Sequence, residues 1–175
     1  IALVWGSLMG VGSDNKHIEH IKTDFGDRIF HPPISEAGIA ALATGAAMDG
    51  IRTIFPIGTA SFMFRAWDQI IHEAAAAHYM SNGAVTVPVV FHVLHGLRGG
   101  GSVQHSQSPQ SMLWNSPGIE IAMPSCPADA KGLMRTAIKS NNPTVFIDHQ
   151  KLNQRRGRVP STPYVIPFGV ADIKR

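Results

Sequence analysis

The stretch Val87-Pro-Val-Val-Phe-His-Val-Leu94 is an almost unbroken run of apolar residues, half of which are β-branched. Runs of this length and composition form strands that are buried on both faces, as in parallel sheets covered by helices. The stretch therefore predicts a central strand. The chain on either side of it is expected to supply parallel neighbouring strands and the helices that cover them.

The flanking sequence alternates between short apolar runs and segments of helical pattern. Further strands are predicted over residues 1–5, 51–57, 119–123 and 144–147, the second of them stopped at Pro56. Helices are predicted over 16–25, 36–48, 61–80 and 127–139. This alternation predicts an α/β fold, a three-layer, doubly wound and mostly parallel sheet with helices on both faces. In such folds ligands bind near the carboxyl ends of the strands.

The composition bounds the class of protein. With 175 residues, of which 44% are hydrophobic and 15% charged, the chain can build one compact core, which excludes a disordered protein. No apolar run reaches the roughly 18 residues that a membrane span needs, so we expect no membrane association. The single cysteine, Cys126, excludes a disulfide framework and a thiolate metal cluster, and we expect a reducing, cytoplasmic location.

The net charge of +3 comes from the last part of the chain. Residues 1–150 carry nine basic and eleven acidic side chains, whereas residues 151–175 carry six basic ones against Asp172 alone. No aromatic residue interleaves with the basic run from Lys151 to Arg158, so we expect a solvated linker or an acidic protein partner, and no nucleic acid. Three prolines then interrupt any regular pattern. We predict one domain over 1–152 and a linker over 153–175.

The common catalytic and metal motifs are incomplete. His72 and His78 flank an apparent zinc-protease helix, but they are six positions apart and fall on different helix faces. The glycine-rich stretch 96–102 lacks the Gly-Lys-Ser/Thr ending of a phosphate loop. No Gly-x-Ser-x-Gly elbow surrounds Ser106, which argues against a hydrolase triad.

Glu36 is the most informative single residue. It opens the helix predicted over 36–48, for which Ser35 is the expected N-cap and Gly50 the expected stop. One interpretation is an acidic residue favoured by the positive helix end, a contribution of about 0.3–1 kcal/mol. The other is a carboxylate in a dry pocket that shares a proton with a ligand. The residues of this helix are mostly Ala and Gly, which is typical of a helix buried against a sheet or at a subunit interface, and we expect a homodimer.

Several motifs occur together in a recognisable order. They are Pro33-Ile-Ser-Glu36-Ala-Gly, Gly45-Ala-Ala-Met-Asp-Gly50-Ile-Arg52, Asp68-Gln-Ile-Ile71, Tyr79-Met-Ser, Val87-Pro-Val-Val, Gln104-His-Ser-Gln107, Pro117-Gly118 and Asp129-Ala-Lys-Gly-Leu133. In this order the chain resembles the pyrimidine-binding domain of the beta subunit of 2-oxoacid dehydrogenases of the pyruvate, branched-chain and acetoin types, within the transketolase-like thiamine diphosphate superfamily. The resemblance runs from about Ile1 to Lys174.

The resemblance implies half of an active site for oxidative decarboxylation. Glu36 would hydrogen-bond a ring nitrogen of the cofactor's aminopyrimidine and so activate thiamine diphosphate, and His105 would work near the substrate or the lipoyl acceptor. Ile34, Phe62 and Arg65 would also contact the cofactor, although core filling is an equal explanation for Phe62. An alpha-type subunit would bind the diphosphate and magnesium, since this chain lacks the Gly-Asp-Gly motif. The predicted linker would lead toward the beta subunit's second domain.

The resemblance also implies a structural potassium ion held largely by backbone carbonyls, at positions matching Val89, Ala137, Ile138, Ser140 and Asn142. The sequence departs from the family at three places: Ser7 replaces an acidic residue, Arg65 replaces a common glutamine, and His92-Val-Leu-His95 replaces Arg-Gly-Pro-Asn. These departures favour a second interpretation, a free-standing, non-catalytic interaction module. A transketolase or deoxyxylulose-phosphate synthase fragment fits less well, because the His-Ser-Gln and Asp-Ala-Lys-Gly-Leu motifs point away from it.

Overall fold

A six-stranded parallel sheet forms the centre of the computed structural model, which describes residues 2–4, 21, 23–97 and 101–173. Its strands are β1 (Ala2–Val4), β2 (Ile29–Phe30), β3 (Thr53–Thr59), β4 (Val89–His95), β5 (Glu120–Ala122) and β6 (Thr144–His149). Their spatial order is β2-β1-β3-β4-β6-β5, and each neighbouring pair is parallel. The chain leaves β1 toward one edge and β3 toward the other, so the order reverses between these two strands.

Helices of three kinds connect the strands. The α-helices are α1 (Glu36–Met48), α2 (Ala77–Met80), α3 (Gln110–Leu113) and α4 (Pro127–Lys139). The 3-10 helices are Gly26–Arg28, Ala60–Ala66 and Val103–His105, and a π-helix covers Asp68–Ala74. In the part of the chain that the structure describes, none of these helices combines the length and the apolar character required to cross a lipid bilayer.

The sheet is covered on both faces, as the sequence predicts. On one face, Phe55 and Phe91 pack with Ile39 and Ala43 of α1 in the larger of two apolar clusters. On the other face, Val90 and Phe146 pack with Ala137 of α4. Alternate residues of β4 belong to different clusters, so this strand is buried on both sides, and the predicted three-layer, doubly wound α/β fold is confirmed.

Most predicted elements are present. The helices predicted over 36–48 and 127–139 have the same bounds as α1 and α4. Ser35 Oγ accepts a hydrogen bond from the backbone N–H of Gly38 at 3.2 Å, as an N-cap should, and Gly50, with φ +89°, follows the helix end. The strand β2 and the short helix α3 carry no clear periodic pattern and were not predicted. Of the helix predicted over 16–25, Ile21 and residues 23–25 are helical, and the remainder lies outside the described residues.

Two predictions about regular structure were wrong. Pro56 does not end its strand, because β3 continues to Thr59. The register with β4 shifts between Pro56 and Gly58, and within the described part of β1 the partners in β3 are Thr53 and Ile54. Proline is tolerated at such an irregularity because its missing N–H costs little there. The helix predicted over 61–80 is divided into 3-10, π and α segments. Ala66, Ile70 and Ala74, which are spaced four residues apart as on one face of a helix, are nevertheless buried.

The segment predicted as a linker packs in part against α4. Tyr164 donates to the carbonyl of Ala128 at 2.6 Å, and Thr136 Oγ1 donates to the carbonyl of Ile166 at 2.5 Å. Gly132 allows this approach, since a Cβ at that position would lie 2.6 Å from the Ile166 side chain. Residues 160–168 are therefore held along this helix, while the domain boundary at residue 152 stays a prediction.

Candidate active site

Four of the residues predicted to contact a cofactor meet in one cleft. The cleft has a volume of about 620 Å³ and is lined by Ile34, Ser35, Glu36, Ala37, Phe62 and Arg65. The first four of these residues stand at the start of α1, which follows β2, and the other two stand in the 3-10 helix that follows β3. Both elements leave the carboxyl edge of the sheet, where an α/β fold is expected to bind its ligand.

Glu36 is the most enclosed charged group of the cleft. As the first residue of α1 it lies next to the positive helix end, and only 11% of its side chain is exposed. Its Oε2 atom lies 3.3 Å from Nε of Arg65, whose side chain is 74% exposed. The two interpretations of Glu36 are therefore compatible, because the helix end stabilises a carboxylate that also borders an open cleft.

Phe62 links this cleft to His105. The Phe62 and His105 rings are 5.1 Å apart between centroids and meet edge to face at 70°. Phe62 also packs against the larger core cluster, so it fills the core and lines the cleft at once. The Nδ1 atom of His105 is buried and has no hydrogen-bond partner among the described residues. Such a nitrogen can hold or accept a proton once a polar group approaches it.

A histidine pair at the ends of β4 and β6 was not predicted as part of this region. His95, only 8% exposed, lies edge-on to His149 with ring centroids 4.7 Å apart, and its Nδ1 atom is hydrogen-bonded to Ser108 Oγ at 3.0 Å. Burial lowers the pKa of His95 below its usual value, the nearby His149 lowers the pKa further, and Asp148 partly opposes both. The sequence indicated only that residues 92–95 depart from the family pattern.

The other histidine of this stretch faces the opposite side of the sheet. His92 Nε2 lies 2.8 Å from Oδ2 of Asp148, and both side chains are mostly buried. His92 also meets the ring of Phe146, which belongs to the smaller core cluster under α4. This pair is therefore separated by the sheet from His105 and the cleft. Among the described residues, no group of three or more histidine, cysteine or acidic side chains is placed to bind a metal ion.

Two of the five positions expected at a potassium ion, Ile138 and Ser140, contact the guanidinium of Arg52 through their carbonyls. Nη1 of Arg52 donates to the carbonyls of Ile138 at 3.1 Å and Ser140 at 2.5 Å, and Nη2 donates to Oδ1 of Asn141 at 2.6 Å. Val89 and Ala137 are both buried, and Ala137 directly precedes Ile138 in the sequence. The end of α4 therefore presents carbonyl oxygens toward a positive charge that the chain itself supplies.

The fold and the cleft together define a class of protein. A doubly wound domain with a shielded carboxylate and an aromatic ring at the carboxyl edge of its sheet belongs to the α/β class, in which this edge is the usual place for a ligand. The family described as transketolase, pyrimidine binding domain, matches residues 4–155, and the chain belongs to this family.

Curated relatives confirm the resemblance to beta subunits of 2-oxoacid dehydrogenases. The chain is 40% identical over 150 residues to 2-oxoisovalerate dehydrogenase subunit beta of Bacillus subtilis, covering 85% of this chain and 46% of that protein. It is 41% identical over 148 residues to pyruvate dehydrogenase E1 component subunit beta of Rickettsia conorii, covering 85% and 45%. It is 37% identical over 171 residues to acetoin:2,6-dichlorophenolindophenol oxidoreductase subunit beta of Cupriavidus necator, covering 98% and 49%.

The chain spans about half the length of these relatives. Among solved structures it resembles a split gene transketolase, an inactive beta4 tetramer, with a TM-score of 0.65 over 85% of this chain and 45% of that one. Sequence identity to that structure is 17%, so this likeness supports the fold alone.

The pH dependence of folding should report the buried histidine. Because the pKa of His95 is lowered in the folded state, the unfolded chain binds more protons between that lowered pKa and 6.5. The free energy of unfolding should therefore rise with pH across this window, by at most about 1.4 kcal/mol per pH unit from this one group. We expect His95→Asn to flatten the profile, measured by urea unfolding from pH 5 to 8.

His72→Asn is the matched control, because the side chain of His72 is 77% exposed. This variant should keep the slope of the unmodified chain. Identical slopes for His95→Asn and the unmodified chain would contradict the assignment.

Proposed function

We propose that this chain forms the pyrimidine side of a thiamine diphosphate active site in a 2-oxoacid dehydrogenase of the pyruvate, branched-chain or acetoin type. The observation that carries the proposal is the shielded carboxylate of Glu36, which borders an open cleft beside the ring of Phe62. The curated relatives, which are beta subunits of such dehydrogenases, support the same function.

The residues of the cleft fit an aminopyrimidine ring. Such a ring is flat and apolar on its faces and carries nitrogen atoms on its edge, so it needs an aromatic or aliphatic wall and one group that can share a proton. Phe62 and Ile34 supply the wall, and Glu36 supplies the oxygen for a ring nitrogen. When bound, thiamine diphosphate would supply the electron sink for decarboxylation. Glu36 holds and returns the proton at the ring nitrogen.

His105 is the second residue to which we give a role in the proposed chemistry. Its buried Nδ1 atom lacks a protein partner among the described residues, and its ring contacts Phe62 at the wall of the cleft. A histidine in this place can donate a proton to, or accept one from, a substrate group that enters beside the cofactor. We therefore assign His105 to the substrate side of the site and Glu36 to the cofactor side.

An alpha-type subunit completes the proposed site. The 175 residues contain no Gly-Asp-Gly motif, so the diphosphate and its magnesium ion need a partner that carries a diphosphate-binding domain. The one cysteine, Cys126, is free, which is compatible with the reducing cytoplasm that we propose as the location.

The substitution Glu36→Gln tests the central assignment. In a complex with an alpha-type subunit from the same organism, we expect turnover of pyruvate or branched-chain 2-oxoacids to fall by at least about 100-fold, because glutamine cannot share a proton with the ring nitrogen. Thiamine diphosphate with magnesium should also raise the melting temperature of the unmodified complex more than that of the variant, since a ligand that binds the folded state stabilises it.

Glu73→Gln provides the matched control, because the Glu73 side chain is 57% exposed and lies outside the cleft. It should retain full turnover. A Glu36→Gln complex as active as the unmodified one would overturn the assignment of Glu36.

The ion pair between Glu36 and Arg65 favours a second candidate function, that of a non-catalytic interaction module. A guanidinium beside the carboxylate provides a protein partner where a cofactor is expected. In this alternative the chain is a free-standing, non-catalytic module. Thiamine diphosphate with magnesium would then raise neither its melting temperature nor that of its mixture with an alpha-type subunit, and the mixture would show no turnover.

We also propose that two copies of the chain associate through α1. Between Glu36 and Asp49 this helix carries no charged residue, and its outward face includes Leu42, which is 50% exposed, and Met48, which is 38% exposed. Gly38, Ala41 and Gly45 on the same face are small enough to let a second helix approach closely. An exposed apolar helix face of this kind is typical of a protein interface.

The mass of the assembly tests this proposal. Leu42→Glu should shift the chain, or its complex, to species with half as many copies in light scattering coupled to gel filtration, because a charge would be buried at the interface. Met112→Glu on α3 is the matched control, since Met112 is also 50% exposed, and it should leave the homodimer intact. An unchanged mass for Leu42→Glu would contradict an interface through α1.

We propose, finally, that a potassium ion binds beside Arg52. The carbonyls of Ile138 and Ser140 accept from the guanidinium, but each carbonyl oxygen has a second lone pair that can face an ion. The negative end of α4 adds to the attraction. The other expected ligands are Val89, Ala137 and Asn142.

A change of salt tests the ion. The free energy of unfolding should be higher in potassium chloride than in sodium chloride at equal ionic strength, by an amount that grows with potassium concentration as mass action requires. Equal stability in the two salts would show that Arg52 alone satisfies these carbonyls.

A further inference from the structure

We propose that His95 and His149 form an acid-sensitive clamp that positions residues 103–108, the segment that carries His105. The inference deepens the proposed function, because it assigns a positioning role to residues beside the proposed site. The attachment of residues 103–108 to the structure around them does not itself depend on a cofactor.

The segment is attached to the rest of the domain at both of its ends. At its start, Ser61 Oγ donates a hydrogen bond to the carbonyl of Gln104, which ties the segment to the helix after β3. At its end, Ser108 Oγ is hydrogen-bonded to His95 at 3.0 Å, and the Gly96 N–H donates to the carbonyl of Gln107 at 3.5 Å. His105 lies between these attachments, so its contact with Phe62 depends on both.

His149 supports His95 from the neighbouring strand. The two rings lie edge to face at 86°, and Gly96, with φ +90°, makes room for His149, because a Cβ there would lie 2.6 Å from its Nε2 atom. The Nδ1 atom of His149 accepts a hydrogen bond from the backbone N–H of Lys151 at 3.1 Å. That nitrogen is therefore unprotonated, and the clamp as observed needs a neutral His149 ring.

Acid should weaken this arrangement. The titratable groups that act on His95 are His149 and Asp148, both on β6, and the third contact is the neutral hydroxyl of Ser108. Protonation of the histidines would bring two like charges together in a largely buried place, with one carboxylate in partial compensation. Asp148 is itself engaged with His92 on the opposite face, so it cannot turn toward the pair without losing that contact.

Amide hydrogen exchange, measured by nuclear magnetic resonance and corrected for the intrinsic effect of pH, tests the clamp. The reporters are the Gly96 N–H, which donates to Gln107, and the Ser106 N–H, which donates to the carbonyl of Val103 at 3.1 Å. We expect their protection to fall by about tenfold between pH 7.5 and pH 5.5, while amides of α1 that exchange through local fluctuations, and so do not follow the global stability, keep theirs.

Two substitutions separate titration from simple packing. His149→Phe keeps an aromatic ring against His95 but cannot gain a proton, and His95→Gln keeps a hydrogen-bonding group for Ser108 but does not titrate. In each variant the change in protection with pH should shrink to about twofold or less. His72→Gln, at an exposed position, should retain the tenfold change.

Three results would overturn the clamp. They are equal protection of the reporters at both pH values, a tenfold change that persists in both His149→Phe and His95→Gln, and a parallel loss of protection in the locally exchanging amides of α1. If only one of these two variants folds, the change in protection with pH in that variant alone tests the clamp. The clamp and the proposed function can fail independently. If hydrogen exchange confirms the clamp but the Glu36→Gln complex stays active, the attachment of residues 103–108 exists without the proposed chemistry.

Discussion

Burial of β4 on both faces is the constraint on which the rest of the structure depends. Phe91 and Val93 require a cover on one side and Val90 requires one on the other, so helices must lie on both sides of the sheet. Helices on both sides require crossover connections, and crossovers make the neighbouring strands parallel. Parallel strands bring all their carboxyl ends to one edge. That edge gathers Glu36, Phe62 and His105, which are distant in sequence.

The ion pair in the cleft is too weak to exclude a ligand from Glu36. Arg65 is 74% exposed, and pairs of this kind contribute between about 0.2 and 1 kcal/mol because water screens them. A hydrogen bond from a ligand to a charged carboxylate contributes about 1.5–3 kcal/mol. A ring nitrogen at Oε2 would therefore displace Arg65 at small cost, and the exposed guanidinium has room to move toward solvent. The same comparison explains why Arg65 is compatible with the proposed role of Glu36, although the resemblance implies a glutamine at this position.

The sequence predicted the helix bounds that local residues determine, and the family resemblance predicted the residues of the cleft. The bounds of α1 followed from the Ser35 cap and Gly50, and the cleft residues Ile34, Glu36, Phe62 and Arg65 are together as the resemblance implied. The course of the chain through Pro56 was not predictable from the residue alone, because it depends on the shift in register between β3 and β4 at that point. The contact between His95 and His149 depends on the register of β4 with β6, which brings together residues far apart in sequence. Local propensity has no information on such pairings.

Residues 103–108 connect the 3-10 helix that lines the cleft with the end of β4. Their start is tied to the helix after β3 through Ser61, and their end is tied to β4 through His95. A short segment held at both ends has few conformations left, so the position of His105 follows from those attachments more than from its own 3-10 turn. His95, one of the residues by which β4 departs from the family pattern, thus acts on this segment, whereas His92 faces the other side of the sheet. For this reason a substitution of His95 at the end of a buried strand, outside the cleft that holds Glu36, should change the position of His105, the residue that we propose to lie on the substrate side.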